Sequence, residues 1–75
     1  MISMCDMELD REGIIKKIDV GNDMERRYMD IGIVPGGKIT RVYEDFSKSI
    51  SCYMVMDSFI AIRNKDSKGI MVSYE

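Results

Sequence analysis

Apolar and polar residues change period along this chain, and the changes mark its elements. Between Gly13 and Val20, Ile18 and Val20 alternate with Asp19, as on one face of a strand. Ile15 is out of phase with them by one residue, and a β-bulge near Lys16-Lys17 restores the phase. From Asn22 the period becomes helical. Met24, Tyr28 and Ile31 follow at i, i+4 and i+7 and share one apolar face. Asn22 is the expected N-cap and Glu25 completes a capping box, giving a helix from about Asp23 to Ile31. Gly32 suits the left-handed position just past the helix, and Ile33 can fold back on the last turn. Val34-Pro35-Gly36-Gly37 then reads as a type II turn, with Pro35 forbidding helix and Gly36 permitting positive φ.

The remainder is strand-like. Lys38–Tyr43, Ile50–Met56, Phe59–Arg63 and Ile70–Tyr74 are rich in β-branched and aromatic residues. Glu44–Ser49 and Asn64–Gly69 are polar connections, and Asp57-Ser58 is a two-residue turn. Five short strands with one helix inserted between the first two predict a small, mainly β barrel or sandwich.

Composition narrows the function. The 75 residues make a single domain with a small core. The net charge of −2, with interspersed signs, gives no basic footprint for nucleic acid. No apolar run is long enough to span a membrane and no signal segment opens the chain, so a soluble, cytoplasmic protein without membrane insertion is expected. Cys5 and Cys52, far apart in sequence, are expected as two reduced thiols. The eight methionines read first as flexible core fillers, with a soft-metal or adaptable binding surface as the sharper alternative. Catalysis lacks its usual parts. There is no histidine to act as a base or to activate either cysteine, and no CxxC, HExxH or EF-hand pattern. Gly36-Gly37 precedes a strand and lacks the Lys-Ser/Thr of a phosphate loop. No catalytic residue, metal site or cofactor is therefore expected.

Three segments together resemble the FeoA family of bacterial ferrous iron uptake. They are Gly13-Ile14-Ile15-Lys16-Lys17-Ile18, then Arg26-Arg27-Tyr28-Met29-Asp30-Ile31-Gly32-Ile33-Val34-Pro35-Gly36, and finally Ile60-Ala61-Ile62-Arg63 with Ile70-Met71-Val72. The match runs through nearly the whole chain in the family's order, and the middle segment is the most specific part. Asp10 and Asp57 stand where relatives often have glycine, and Asp66-Ser67-Lys68 replaces a usual Glu-Ala stretch. The resemblance implies an SH3-like barrel of five strands with a helical insertion. It also implies an accessory role in the cytoplasm, docking on the FeoB-type membrane transporter. A related module ends the DtxR-type metal-dependent repressors. The alternative is therefore a free-standing regulatory domain that binds metal or another ligand.

Two surfaces are candidates for partner binding. Arg26 and Arg27 lie off the helix's apolar face and could meet an acidic partner, although Arg26 with Asp30 also forms an i,i+4 pair. On the third predicted strand, Tyr53 and Val55 share one face while Cys52, Met54 and Met56 share the other. The resemblance places Tyr53 and Val55 inward, which leaves Cys52, Met54 and Met56 outward, with Phe59 beside them. The expected occupants of such a stripe are the chain's own N-terminal segment, through Met4 and Met7, or a partner, either the transporter or a second copy.

Overall fold

The structure, a computed structural model, describes residues 1–74. Its strands are β1 (Ile2–Ser3), β2 (Glu12–Ile18), β3 (Lys38–Glu44), β4 (Ile50–Val55), β5 (Ser58–Arg63) and β6 (Ile70–Ser73). The helix α1 (Asn22–Asp30) lies between β2 and β3. All strands join one sheet in the order β1-β6-β2-β3-β4-β5, with every neighbouring pair antiparallel. The five expected strands are β2 to β6. The two-residue β1, followed by a 3₁₀ turn at Met4–Asp6, was not expected. A segment this short carries no periodicity, so it shows no signal of its own.

The sheet's inner face closes on Met4, Met7, Ile15, Ile33, Ile39, Tyr53, Val55, Ile70 and Val72, all at most 1% exposed. The register of β2 against β6 shifts between Ile15 and Lys17, which is the bulge the alternation required.

The helix starts one residue earlier than expected. Gly21, extended at φ −61° and ψ 152°, is the N-cap, and its carbonyl accepts the Glu25 N–H at 2.9 Å. Asn22 is already helical, so its side chain cannot act as the cap, and no side chain caps this end. At the other end, Ile33 N–H donates to Tyr28 O (2.9 Å) and Gly32 N–H to Met29 O (3.1 Å), the paired bonds of a Schellman motif. Gly32 holds φ +100°. The reversal turns Ile33 into the core and leaves Ile31 43% exposed, so the buried helical contact is Tyr28 and not Ile31. Gly37 N–H donates to Val34 O at 2.9 Å and Gly36 holds φ +88°, which makes a type II turn over Pro35-Gly36.

The β4–β5 turn is Met56-Asp57, not Asp57-Ser58: Val55 pairs with Ser58, and Met56 and Asp57 hold φ +50° and +63°. Two positive φ angles define a type I′ turn, whose twist suits a hairpin. Asp10 also sits at positive φ, +64°. Asp10 and Asp57 thus both occupy left-handed backbone, which a short polar side chain tolerates.

Inside the barrel lies a charge. Arg41 follows Ile39 on the inner face and is 7% exposed. Its Nε and Nη2 donate to Ser51 Oγ at 3.1 and 3.0 Å, its Nη1 to Met7 O at 2.9 Å, and its Nη2 also to Glu44 Oε2. Ser51 Oγ donates to Asn64 Oδ1 at 2.7 Å, and Asn64 Nδ2 donates to Glu44 Oε2 (3.1 Å) and Lys48 O (2.8 Å). Beside this network, Tyr53 donates to Met4 O at 3.2 Å, and burial pushes its phenol above the ordinary tyrosine range. Among the described residues, every buried side-chain nitrogen and oxygen has a partner.

Two stability outcomes follow from this packing. A Cβ on Gly69 would lie 2.0 Å from Asp19 O, a backbone atom that cannot swing aside, whereas one on Gly36 would meet nothing within 4 Å. Gly69→Ala should therefore cost about 3 kcal/mol in urea unfolding, and Gly36→Ala only about 1 kcal/mol from its positive φ. Equal losses would contradict the close approach at Gly69. Arg41→Met should cost about 2–3 kcal/mol, because the Met7 carbonyl loses its donor inside the protein and Glu44, a quarter exposed, keeps only Asn64. Arg41→Lys should recover only part of that, since one ammonium cannot reach three acceptors at once. An unchanged urea midpoint for Arg41→Met would contradict the buried network.

Candidate functional site

Period-two alternation on β4 fixes what the outer face of the sheet carries. Tyr53 and Val55 are buried, at 0% and 1% exposed, so Cys52 and Met54 point outward between them. Cross-strand pairing then assembles two rows. Thr40 pairs with Met54 and Met54 with Phe59; Tyr43 pairs with Cys52 and Cys52 with Ala61. Met56 extends the first row at the turn. The most exposed members are Met56 (77%), Phe59 (65%) and Tyr43 (60%). A shallow hollow of about 240 Å³ runs along β3 and β4 beside Met54 and Met56, and Glu12, Lys38 and Asp57 supply its charged edges. An apolar centre with a polar rim is the anatomy of a protein interface.

The N-terminal segment does not cover this face. Met4 and Met7 are 0% and 1% exposed within the core. Tyr53 Oη holds Met4 O and Arg41 holds Met7 O, so the segment is fastened from the inside. Four of the eight methionines are therefore divided between two jobs: Met4 and Met7 fill the interior, while Met54 and Met56 dress the outer face.

Met56 also sits in an unfavourable conformation. Type I′ turns select Asn, Asp or Gly, and a methionine at φ +50° gains nothing from the turn itself. Its sulfur lies where a Cβ on Gly32 would be, 2.7 Å from that position, so it rests over the end of α1.

The helix arginines are placed differently from each other. Both are exposed, and among the described residues neither forms an ion pair, including Arg26 with Asp30. Arg27 lines a groove of about 280 Å³ between α1 and β5, together with Ile31, Ala61 and Arg63. Through Ala61 this groove adjoins the Tyr43–Cys52–Ala61 row. Arg26 is not part of that lining. The structure thus brings Cys52, Met54, Met56 and Phe59 onto one face and Arg27 to its border.

Residues that the sequence reading left unassigned also belong to this face. Tyr43 and Ala61 enter it by strand pairing. Tyr43 is displaced by the register shift between Arg41 and Tyr43, which plain alternation does not foresee. Cys5 and Cys52 are both free and half-buried. Among the described residues, no three His, Cys, Asp or Glu side chains converge to hold a metal ion. No helix of the described residues is long and apolar enough to cross a membrane.

Comparison with known proteins assigns the fold and the family. The FeoA protein of Chlorobium tepidum superposes with a TM-score of 0.91 at 16% identity, covering 97% of this chain and 70% of that one. A zinc-complexed FeoA of Stenotrophomonas maltophilia, described as a prokaryotic SH3 domain protein, superposes at 0.83 with 18% identity over 97% of this chain and 91% of that one. ScaR with bound Zn²⁺ contains the same fold, with a TM-score of 0.86 and 13% identity; this chain spans 37% of its length. No curated protein sequence matches the chain. The sequence model of the FeoA domain matches residues 2–74, and the chain therefore belongs to the FeoA family, which is associated with ferrous iron transport.

Proposed function

We propose that this protein is a cytoplasmic accessory component of ferrous iron uptake that docks on a FeoB-type transporter through the outer face of β3, β4 and β5. The observation that carries the reading is Met56. A large apolar side chain stands 77% exposed, at positive φ, in a turn that prefers small polar residues. Turn chemistry selects against it, and its contact over Gly32 still leaves most of the side chain in water, which favours a role in contact with something else. Phe59, Met54 and Tyr43 make the surrounding surface apolar and adaptable. Arg27, at the border of this face, is placed to meet acidic residues on a partner's rim. The protein contributes no chemistry in this reading. It supplies a rigid face whose shape the buried Arg41 network maintains.

Substitution separates docking from folding. Met54→Lys with Met56→Lys should keep the melting temperature within a few degrees, because the new ammonium groups reach water from half-buried and exposed positions. The same pair should weaken binding to the transporter's soluble cytoplasmic part by about tenfold or more. Arg26→Glu with Arg27→Glu should weaken it less and in a salt-dependent way. Met56→Asn is the sharpest single change: it should hold or raise stability by improving the turn while lowering affinity. Unaltered binding in all three would reject this face as the docking surface. Loss of self-association with transporter binding retained would assign the face to a second copy instead.

A further inference from the structure

A concavity lies at the opposite end of the β4–β5 hairpin from Met56, and four cationic residues line it. Its volume is about 500 Å³, within the range of small-ligand pockets. Lys48, Arg63, Lys65 and Lys68 surround it, and Ile50 provides an apolar wall. These four cations, out of eleven in a chain of net charge −2, come from the β3–β4 loop, the end of β5, the 3₁₀ turn Asn64–Asp66 and the approach to β6.

The floor is rigid. Asn64 N–H donates to Ser49 O at 2.8 Å, and its side-chain amide joins Lys48 O, Glu44 and Ser51. The loop opposite is tied by Asp45, whose Oδ1 accepts the N–H groups of Ser49 (2.7 Å) and Ile50 (3.1 Å). These bonds, that from Ile50 foremost, hold the Asp45 carboxyl below the usual carboxylate range.

The nearby acids are therefore spent. Asp45 serves the loop backbone, Glu44 serves Arg41 and Asn64, and Asp66 holds Arg63 Nε at 2.8 Å. The Asp66 contact steadies the Arg63 guanidinium and leaves its two terminal nitrogens for a ligand. The ammonium groups of Lys48, Lys65 and Lys68 form no ion pair or hydrogen bond with any described residue.

We propose that this concavity binds a small phosphorylated ligand through its di- or triphosphate group. Three lysines without an ion-pair partner among the described residues and one oriented guanidinium, all from residues lining a single opening, suit a ligand that carries several negative charges close together. An acidic peptide would spread its charges along an extended line, whereas these four residues come from separate segments to line one concavity. The site begins beyond the Cys52–Ala61 row, where Ile50 pairs with Arg63, at the end of the hairpin far from Met56, and it does not rest on the docking reading.

The test is an amide chemical-shift titration of the whole protein with inorganic triphosphate, with ATP and with a short oligoglutamate peptide. Saturable shifts are expected around Lys48, Asn64, Lys65 and Lys68, weakening as salt is raised. ATP should bind at least as tightly as triphosphate. A gain for ATP would place its nucleoside against Ile50, and equal affinity would assign binding to the phosphate chain alone. The triple variant Lys48→Ala, Lys65→Ala, Lys68→Ala, all at exposed positions, should keep the remaining spectrum and lose about tenfold or more in affinity. Absence of saturable shifts, undiminished binding in the triple variant, or tighter binding of oligoglutamate at the same residues would overturn the assignment.

Discussion

The guanidinium of Arg41, buried on the inner face of β3, is the constraint around which this domain is organised. A charge taken out of water must find partners for its donors or it destabilises the fold. Here the partners come from four places: Ser51 on β4, Glu44 at the end of β3, the Met7 carbonyl of the N-terminal segment and, through Ser51, Asn64 in the 3₁₀ turn that follows β5. Each bond fixes a separate piece of chain. A one-residue slip of β3 against β4 would carry Arg41 to the outside and break all of them together.

That requirement also explains how the surfaces come to be where they are. With β4 locked in register, Tyr53 and Val55 face inward and Cys52 and Met54 must face outward. With Met7 held by Arg41 and Met4 held by Tyr53, the N-terminal segment lies inside and leaves the outer face bare. The same network runs through Asn64 to the Lys48 carbonyl and so shapes the floor of the basic concavity at the other end of the hairpin. One polar cluster thus supports two surfaces of opposite character toward the two ends of the β4–β5 hairpin, one apolar and one cationic. In so small a core, where few apolar contacts are available, a satisfied polar cluster adds definition that methionine side chains alone would not.

Much of this was legible in the sequence where local chemistry decides. Gly32, Pro35 and Gly36 specify their conformations almost unaided, and the phase break at Ile15 marks the bulge in β2. The errors have physical causes. Asn22 has the better capping side chain, but the chain enters the helix through Gly21, whose extended backbone already places a carbonyl for Glu25. The β4–β5 turn was displaced by one residue because Met56 is a poor type I′ residue, and turn chemistry alone favours Asp57-Ser58. The role of Arg41 was not assigned, although its spacing from Ile39 puts both on one face. An arginine in a strand is usually read as solvent-facing, and only the convergence of Ser51, Glu44 and Met7 makes its burial tolerable. The basic concavity was hidden for a related reason: Lys48, Arg63, Lys65 and Lys68 meet only after β4 and β5 pair.

The central claim is that the rigid interior presents Met54, Met56 and Phe59 as the docking face toward an iron transporter. The most direct test is an NMR footprint, in which the isotope-labelled protein is titrated with the soluble cytoplasmic part of a FeoB-type transporter. The account predicts shifts and line broadening concentrated on Thr40, Tyr43, Cys52, Met54, Met56 and Phe59, fading through Ala61 toward Arg27. Resonances of Arg41 and Ser51 in the interior should stay in place. A footprint centred on the N-terminal segment or the β1 edge, with the outer face of β4 unperturbed, would contradict it.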